Sequence, residues 1–304
     1  MSFLRLGTRG SELALAQADY VAARLRRLGH EIEIVRIKTT GDKTPGPLSE
    51  VGGKAAWVVE LEQALLDGVI DLSVHSAKDL PAELGEGLTI GAYPQREDPR
   101  DAFVGPPGGR RFASLPPGAR VGTGSLRRIA LLRSLRPELE PVPMRGNVTT
   151  RLQKIESLGL DGVLLAAAGL IRLGLEGRIL DPLDPDRYVP AGGQGALAVE
   201  IRTDDEEIRQ TVERLQDSDA AAQVLAERAF LRELGGDCHT AIAAYASIHG
   251  VRLRLRGVIF SPDGSERVEG SAEGELGSPE KLGVSLGLEL LERGARRLLG
   301  TAVG

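Results

Sequence analysis

Residues 3–38 read FLRLGTRGSELALAQADYVAARLRRLGHEIEIVRIK. Phe3–Leu6 has the short apolar run of a strand, and Ser11 then offers its hydroxyl as a helix N-cap. Apolar residues recur along Leu13–Leu28 with helical spacing, and Glu31–Lys38 alternates like a second strand. Strand, helix and strand in that order make a βαβ unit. This stretch therefore predicts an α/β fold built on a parallel sheet.

The same pattern continues outward. Trp57–Asp67 reads as helix, and Val69–Val74 as a strand running into His75-Ser76-Ala77-Lys78-Asp79. A break follows over Arg96–Arg111 (REDPRDAFVGPPGGRR), where charge, proline and glycine mix. Strands are then expected at Arg120–Gly122, Glu140–Met144 and Asp161–Ala166, entering helices after Ser125, after Asn147 and through Leu173. That is a second α/β unit over about 100–190. Pro190–Ala196 (PAGGQGA) reads as a flexible crossing. Beyond it, Ser218 can cap a helix Ala220–Leu234 that stops at Gly235-Gly236. Two alternating strands, Val251–Phe260 and Arg267–Ser271, flank SPDGSE, and a helix covers roughly Pro279–Leu299. This last part predicts a small α+β domain.

Composition narrows the function. At roughly 150 residues per domain, 304 residues suggest two or three domains with ample core. Arg5 and Arg9 interrupt what would be the apolar part of a signal peptide, and no run of 18 apolar residues occurs. A net charge of −5 and 3% aromatics argue against a nucleic-acid binder. The histidines His30, His75, His239 and His249 form no pair at metal-ligand spacing, so no metal is expected. One cysteine, Cys238, suits a reducing cytoplasm.

The basic residues fall in a repeated place. Arg9, Lys78, Arg127, Arg128, Arg145, Arg151 and Arg172 sit at the carboxyl ends of candidate strands or in the helices that follow. In open α/β sheets that edge binds ligands. Thr8, Gly10 and Ser11, then Thr123, Gly124 and Ser125, then Gly146, Asn147, Thr149 and Thr150 accompany them. Helix N-termini with arginine forks make anion sites, which points to a polyanionic ligand. Any single arginine is equally a solvated surface charge; seven in one structural position are harder to dismiss. Gly52-Gly53-Lys54 is only a fragment of a phosphate loop. Asp79, beside Lys78, is either a surface ion-pair partner or a carboxylate that handles a proton or a cationic intermediate. Cys238, in LGGDCHT (234–240), is either a small buried hydrophobe or a reactive loop thiol. A catalyst, a non-catalytic anion-binding protein and a ligand-sensing regulator remain open at this point, although the regulator would need a DNA-binding module that the sequence lacks.

The motifs GTRGSELALAQ (7–17), VGGKAAWVVELEQALL (51–66), DLSVHSAKDLP (71–81), REDPRDAF (96–103), VGTGSLRR (121–128), MRGNVTTRL (144–152), AAAGLIRLGL (166–175), PAGGQGA (190–196) and GGDCHTAIAAYA (235–246) resemble the porphobilinogen deaminase (hydroxymethylbilane synthase) family. The resemblance covers nearly the whole chain. It implies two α/β domains like type II periplasmic binding proteins and a small C-terminal α+β domain, divided as 1–95 with 196–213, 100–189 and 218–304. It implies a transferase that condenses four porphobilinogen molecules, with loss of ammonia, into the linear tetrapyrrole hydroxymethylbilane. A dipyrromethane cofactor, joined to Cys238 by a thioether, would prime the chain. Asp79 and Lys78 would be catalytic, with Asp79 hydrogen-bonding pyrrole N–H groups and offsetting the charge of an azafulvene as ammonia leaves. Ser11, Lys78, Asp79, Thr123, Ser125, Arg127, Arg128, Arg145 and Gly146 would bind the cofactor. Arg9, Gln17, Arg145, Arg151, Arg172 and Gln194 would bind substrate. A cytoplasmic monomer acting on a small molecule, without nucleic acid or membrane, is expected. The chain departs from the family pattern at Glu50, Trp57, Val59, Gly124 and Ala241; Gly124 stands where serine is common and removes one hydroxyl from the anion loop.

Overall fold

β1 (Phe3–Thr8), α1 (Glu12–Arg27) and β2 (Glu31–Arg36) form the βαβ unit that the opening stretch predicts, with β1 and β2 parallel from Phe3↔Glu31 to Thr8↔Arg36. The computed structural model describes residues 2–39, 58–81, 83–235 and 240–299. Glu50, Gly52–Lys54, Trp57, Cys238 and His239 lie outside the described residues. Local chemistry sets the limits of α1. The Ser11 hydroxyl accepts from the Ala14 amide at 3.3 Å, Glu12 opens the first turn, and Arg24, Arg26 and Arg27 close the last. Gly29, at φ 92°, carries the chain out.

The first unit adds α2 (Val59–Leu66), β3 (Leu72–Ser76) and β4 (Leu88–Ala92). The chain then crosses to a second unit of β5 (Asp101–Val104), β6 (Arg120–Thr123), α3 (Leu126–Leu135), β7 (Glu140–Pro143), α4 (Val148–Ser157), β8 (Gly162–Ala166), α5 (Ala167–Arg172) and β9 (Asp181–Pro182). It returns as β10 (Leu197–Arg202), followed by α6 (Glu206–Glu213). Both sheets have one plan, β2-β1-β3-β10-β4 and β7-β6-β8-β5-β9. In each, the fourth strand is antiparallel and arrives by a crossing from the other unit. The carboxyl ends of β1, β3, β6 and β8 thus belong to a pair of lobes that the chain joins twice.

The third unit is α7 (Ser218–Glu233), the meander β11 (Ala241–His249), β12 (Arg252–Phe260) and β13 (Arg267–Glu275), and α8 (Pro279–Leu290). Asp217, rather than Ser218, caps α7, accepting from the Ala220 amide at 2.8 Å. Phe230 of α7 packs with Ile242, Leu255, Ile259, Leu286 and Leu290 on one sheet face. The other face gives Ala241, Ala243, Val258 and Phe260 to the core of the second lobe, around Phe103, Phe112 and Tyr188. The α/β class with a small C-terminal α+β unit is the fold that forms.

Two further local expectations are corrected. β3 begins at Leu72, not Val69, because the Val69 and Ile70 amides close the end of α2 by bonding the Ala64 carbonyl at 2.9 and 3.2 Å. The segment 190–196 is not a flexible crossing: Gln194 and Ala196 are each 1% exposed. Its glycines serve close approach. Gly193 (φ 78°) leaves so little room that a Cβ would stand 2.9 Å from the Lys78 amide nitrogen.

Candidate functional site

β3 ends in a single 3-10 turn, Ala77–Asp79, which places Lys78 and Asp79 at the carboxyl end of that strand. The Ala77 amide bonds the Ala196 carbonyl at 3.0 Å, so the turn is tied to the returning chain. From there Gln194 reaches back, and its Oε1 accepts from Lys78 Nζ at 3.3 Å. Burial dominates the Lys78 ammonium, lowering it to about 8, with Asp79 opposing and Arg128 adding to the fall. Gln17 of α1 lies behind this turn, donating to the Ser76 hydroxyl at 2.8 Å.

The second lobe meets this turn with a buried ionic cluster. Ser125 caps α3 and so aims Arg127 and Arg128, its first basic residues, back under the sheet edge. Both are 5% exposed, and both engage Asp101, the first residue of β5. Arg127 donates to Asp101 Oδ2 at 2.8 Å and Oδ1 at 3.0 Å, and also to the Val189 carbonyl at 2.8 Å. Arg128 donates to Asp101 Oδ1 from Nη2 at 2.8 Å and to the Leu164 carbonyl at 2.9 Å. Gln194 Nε2 also donates to Asp101 Oδ1, at 2.9 Å. Burial alone would raise the Asp101 carboxyl, but the two guanidiniums outweigh it and hold it well below the usual carboxylate range. Arg127 Nε remains a buried donor with no partner.

Asp101 is the residue that sequence reading passed over. It lies inside a segment that reads as a break, and its sequence signal is a carboxylate opening the apolar run Ala102–Val104. Thr123 is fully buried, and its hydroxyl accepts from the Ser125 amide at 3.3 Å, which shapes the loop.

Arg151 and Arg145 form the outer wall. Asn147 caps α4, and Arg151 Nε bonds the Gly146 carbonyl at 2.8 Å. Burial, then repulsion from Arg128 and Arg145, lowers Arg151 to about 10, with Asp79 opposing. Arg151 therefore feels the charges of Arg128, Arg145 and Asp79 together, a neighbourhood in which cations outnumber the carboxylate. Gly146 (φ 118°) and Gly124 make that wall possible, since a Cβ on Gly124 would run into the Met144 carbonyl oxygen. The hydroxyl that Gly124 lacks therefore has no room beside this backbone. Arg9, half-buried, and Ser11 follow β1 on the facing lobe. Thr149 of α4 closes one side by donating to Glu12 of α1 at 2.7 Å.

Arg172, the last residue of α5, lies apart from this group. Its Nη2 donates to the Gly195 carbonyl at 2.7 Å, and burial lowers it while Glu97 and Tyr20 oppose. The third unit is tied in by Glu227 of α7, fully buried, whose carboxylate takes both Arg96 nitrogens (2.8 and 3.0 Å) and the Gly193 and Ala246 amides. Neither Arg96 nor Glu227 was singled out from the sequence. Among the described residues no cluster of three or more His, Cys, Asp or Glu could hold a metal. No helix there is long and apolar enough to cross a membrane.

Partly desolvated cations that repel one another and an unpartnered arginine donor, with Asp79 beside them, fit a ligand with several carboxylates. A dipyrromethane, with an acetate and a propionate on each ring, meets that requirement. Comparison with known proteins agrees. The family model described as porphobilinogen deaminase, dipyromethane cofactor binding domain, matches residues 4–210, and the one described as its C-terminal domain matches 221–292. Porphobilinogen deaminase of Syntrophobacter fumaroxidans is 47% identical over 97% of this chain and 96% of its own. That of Carboxydothermus hydrogenoformans is 46% identical over 97% and 95%. A periplasmic substrate-binding protein from Coxiella burnetii aligns at 16% identity over 70% of this chain and 91% of its own, TM-score 0.44. With both family models matched in order and relatives aligned almost end to end, the chain belongs to the porphobilinogen deaminase family, transferases of tetrapyrrole biosynthesis that carry a dipyrromethane cofactor.

Proposed function

We propose that the cleft between the two lobes joins four porphobilinogen molecules into hydroxymethylbilane, with Asp79 as the catalytic carboxylate and Cys238 as the point of cofactor attachment. The observation that carries this reading is Asp79 set among Lys78, Arg128, Arg145 and Arg151. When bound, the dipyrromethane supplies the pyrrole α-carbon to which the first substrate is joined, and it stays on the protein. Arg128, Arg145, Arg151 and Lys78 hold acetate and propionate groups, with Ser11, Ser125, Thr123 and the Gly146 backbone completing the anion loops. Arg127 Nε is a further donor for a carboxylate, while the rest of that guanidinium stays on Asp101. Arg9 and Arg172 line the path of substrate and growing chain, while Gln17 and Gln194, both buried, serve it from behind by holding the Lys78–Asp79 turn through Ser76 and Lys78.

Asp79 accepts hydrogen bonds from the pyrrole N–H of the incoming substrate. Its negative charge offsets the positive charge that develops on the ring as the C–N bond breaks and ammonia leaves. The α-carbon proton lost on rearomatisation balances the one that the departing amine requires, so each condensation releases one ammonia. After four, water breaks the bond to the cofactor, its hydroxyl going to the terminal methylene of the tetrapyrrole and its proton back to the α-carbon. The units 1–95 with 196–213, 100–189 and 218–304 act as three domains in this reading, and the protein works as a cytoplasmic monomer.

Intact mass and turnover test it together. The purified protein should be heavier than its sequence by a dipyrromethane, and Cys238→Ser should remove both that increment and porphobilinogen consumption. A wild-type mass equal to the sequence, or normal turnover by Cys238→Ser, overturns the reading.

A further inference from the structure

β3 and β10 are held together by a buried polar group that the reaction above does not use. His75 Nε2 lies 3.0 Å from Glu200 Oε2, the two side chains being 5% and 0% exposed. The Ser73 hydroxyl lies 2.7 Å from the same imidazole nitrogen and donates to the same carboxylate oxygen at 3.2 Å. Glu200 Oε1 is buried without a partner, and burial together with the Glu200 charge raises the half-buried Glu62 of α2. Burying such groups is costly. Their value lies in what they fix.

In the antiparallel ladder Ser73 is opposite Glu200 and His75 is opposite Ala198. The His75–Glu200 contact is therefore diagonal, a pairing met in one register only, because a slip along the ladder separates the two side chains. His75 is three residues before Lys78, and Ala198 is four residues after Gln194. The same register brings the Ala77 amide to the Ala196 carbonyl at 3.0 Å and Lys78 Nζ to Gln194 Oε1 at 3.3 Å.

We propose that Ser73, His75 and Glu200 are positioning residues, a register lock between β3 and β10 that holds the Lys78–Asp79 turn against Gln194 and the Asp101 cluster. The inference rests on the functional reading above only for its kinetic consequence. Its structural consequence is separate, because Lys78 is lowered to about 8 by its enclosed position and becomes an ordinary lysine if the turn lets go.

The test is competitive acetylation of Lys78 across pH, read by peptide mass on holoprotein, beside steady-state turnover. Glu200→Leu keeps volume and removes both acceptors; Glu200→Gln keeps an acceptor. In Glu200→Leu the labelling midpoint of Lys78 should move from the wild-type value by roughly one pH unit, because the turn no longer holds the amine in its enclosed place. Its kcat should fall about tenfold or more, with KM changed much less. Glu200→Gln should stay near wild type in both. His75→Asn, which is too short to reach Glu200, serves if Glu200→Leu does not fold, with the same expectation. A folded Glu200→Leu or His75→Asn protein whose Lys78 midpoint is that of wild type overturns the register lock, whatever its turnover. A shifted midpoint with unchanged kcat supports the lock and instead removes the Lys78–Asp79 turn from the reaction.

Discussion

Asp101 and Arg127 are joined by two charge-assisted hydrogen bonds, Nη1 to Oδ2 at 2.8 Å and Nη2 to Oδ1 at 3.0 Å, with neither side chain more than 5% exposed. Taking Arg128 as well, one carboxylate balances two buried guanidiniums. Removing the carboxylate leaves both charges uncompensated, which costs roughly 3–5 kcal/mol at sites of this kind. Asp101→Asn should therefore melt well below wild type at neutral pH. The folded Asp101 carboxyl is lowered, so its stabilisation is complete above the unfolded value of about 3.9 and is lost as pH falls below it. The difference in melting temperature between wild type and Asp101→Asn should hold from pH 7 to about 4 and shrink at pH 3. A difference that does not change with pH would place the effect elsewhere.

Much of this was legible in the sequence where one element sets its own boundaries. Ser11, Ser125 and Asn147 stand at the starts of their helices as caps, and β1 announces itself through an apolar run and β2 through alternation. What escaped was non-local. β11 is rich in alanine, a weak strand former, and is a strand because it is buried on both faces between two cores. β5 is four residues long inside a charged, proline-rich stretch, and only its partners β8 and β9 reveal it. In the site, the cations could be read from their positions after strands. Their counter-charge Asp101 could not, because its value comes from residues 26 and 27 positions away.

Lys78 gives a pH signature. Its ammonium, lowered to about 8, loses its charge as pH rises through that value, and with it its hold on a carboxylate. Bound carboxylates oppose this, so in the loaded protein kcat/KM for porphobilinogen should fall along a limb at or above pH 8. Stability runs the other way. The cost of burying the charged amine is present below about 8 and is relieved between there and the unfolded value near 10.4. Lys78→Arg keeps its charge throughout and should move the kinetic limb to higher pH. A limb left in place by Lys78→Arg would belong to another group.

Gly124 is a packing requirement. A Cβ there meets the Met144 carbonyl oxygen, which is backbone and cannot rotate away, and the Met144 amide is itself bonded to Thr123 at 3.1 Å. Gly124→Ser should therefore destabilise by roughly 1–3 kcal/mol through overpacking, read as a lowered melting temperature. The added carbon would only touch Arg151, 3.7 Å from its Nη2, but the backbone shift that Met144 forces should move the end of β7 and Arg151 with it, and so weaken substrate binding. An unchanged melt and KM would mean that the β6 and β7 ends part without cost.

Asp79 tests the reaction itself. It closes the turn Ala77–Asp79, its charge acts on Lys78 and Arg151, and it is half-buried at the cleft edge. A fixed carboxylate there can stabilise a cationic pyrrole where mobile water cannot, because its position is set before the charge appears. Asparagine keeps the size and some hydrogen bonding but not the charge. Losing one preorganised group of this kind costs about 3 kcal/mol, or roughly a hundredfold in rate. Asp79→Asn should fold with a melting temperature near wild type, accept a dipyrromethane offered as preformed tetrapyrrole, and turn over about a hundredfold more slowly with little change in KM. Asp79→Glu keeps the charge with displaced geometry and should lie between the two. The measurement is porphobilinogen consumption by holoprotein whose adduct mass has been verified, so that failed loading is not mistaken for failed chemistry. Near-normal turnover by loaded Asp79→Asn would take this carboxylate out of the mechanism and leave the cleft a polyanion site without its catalyst.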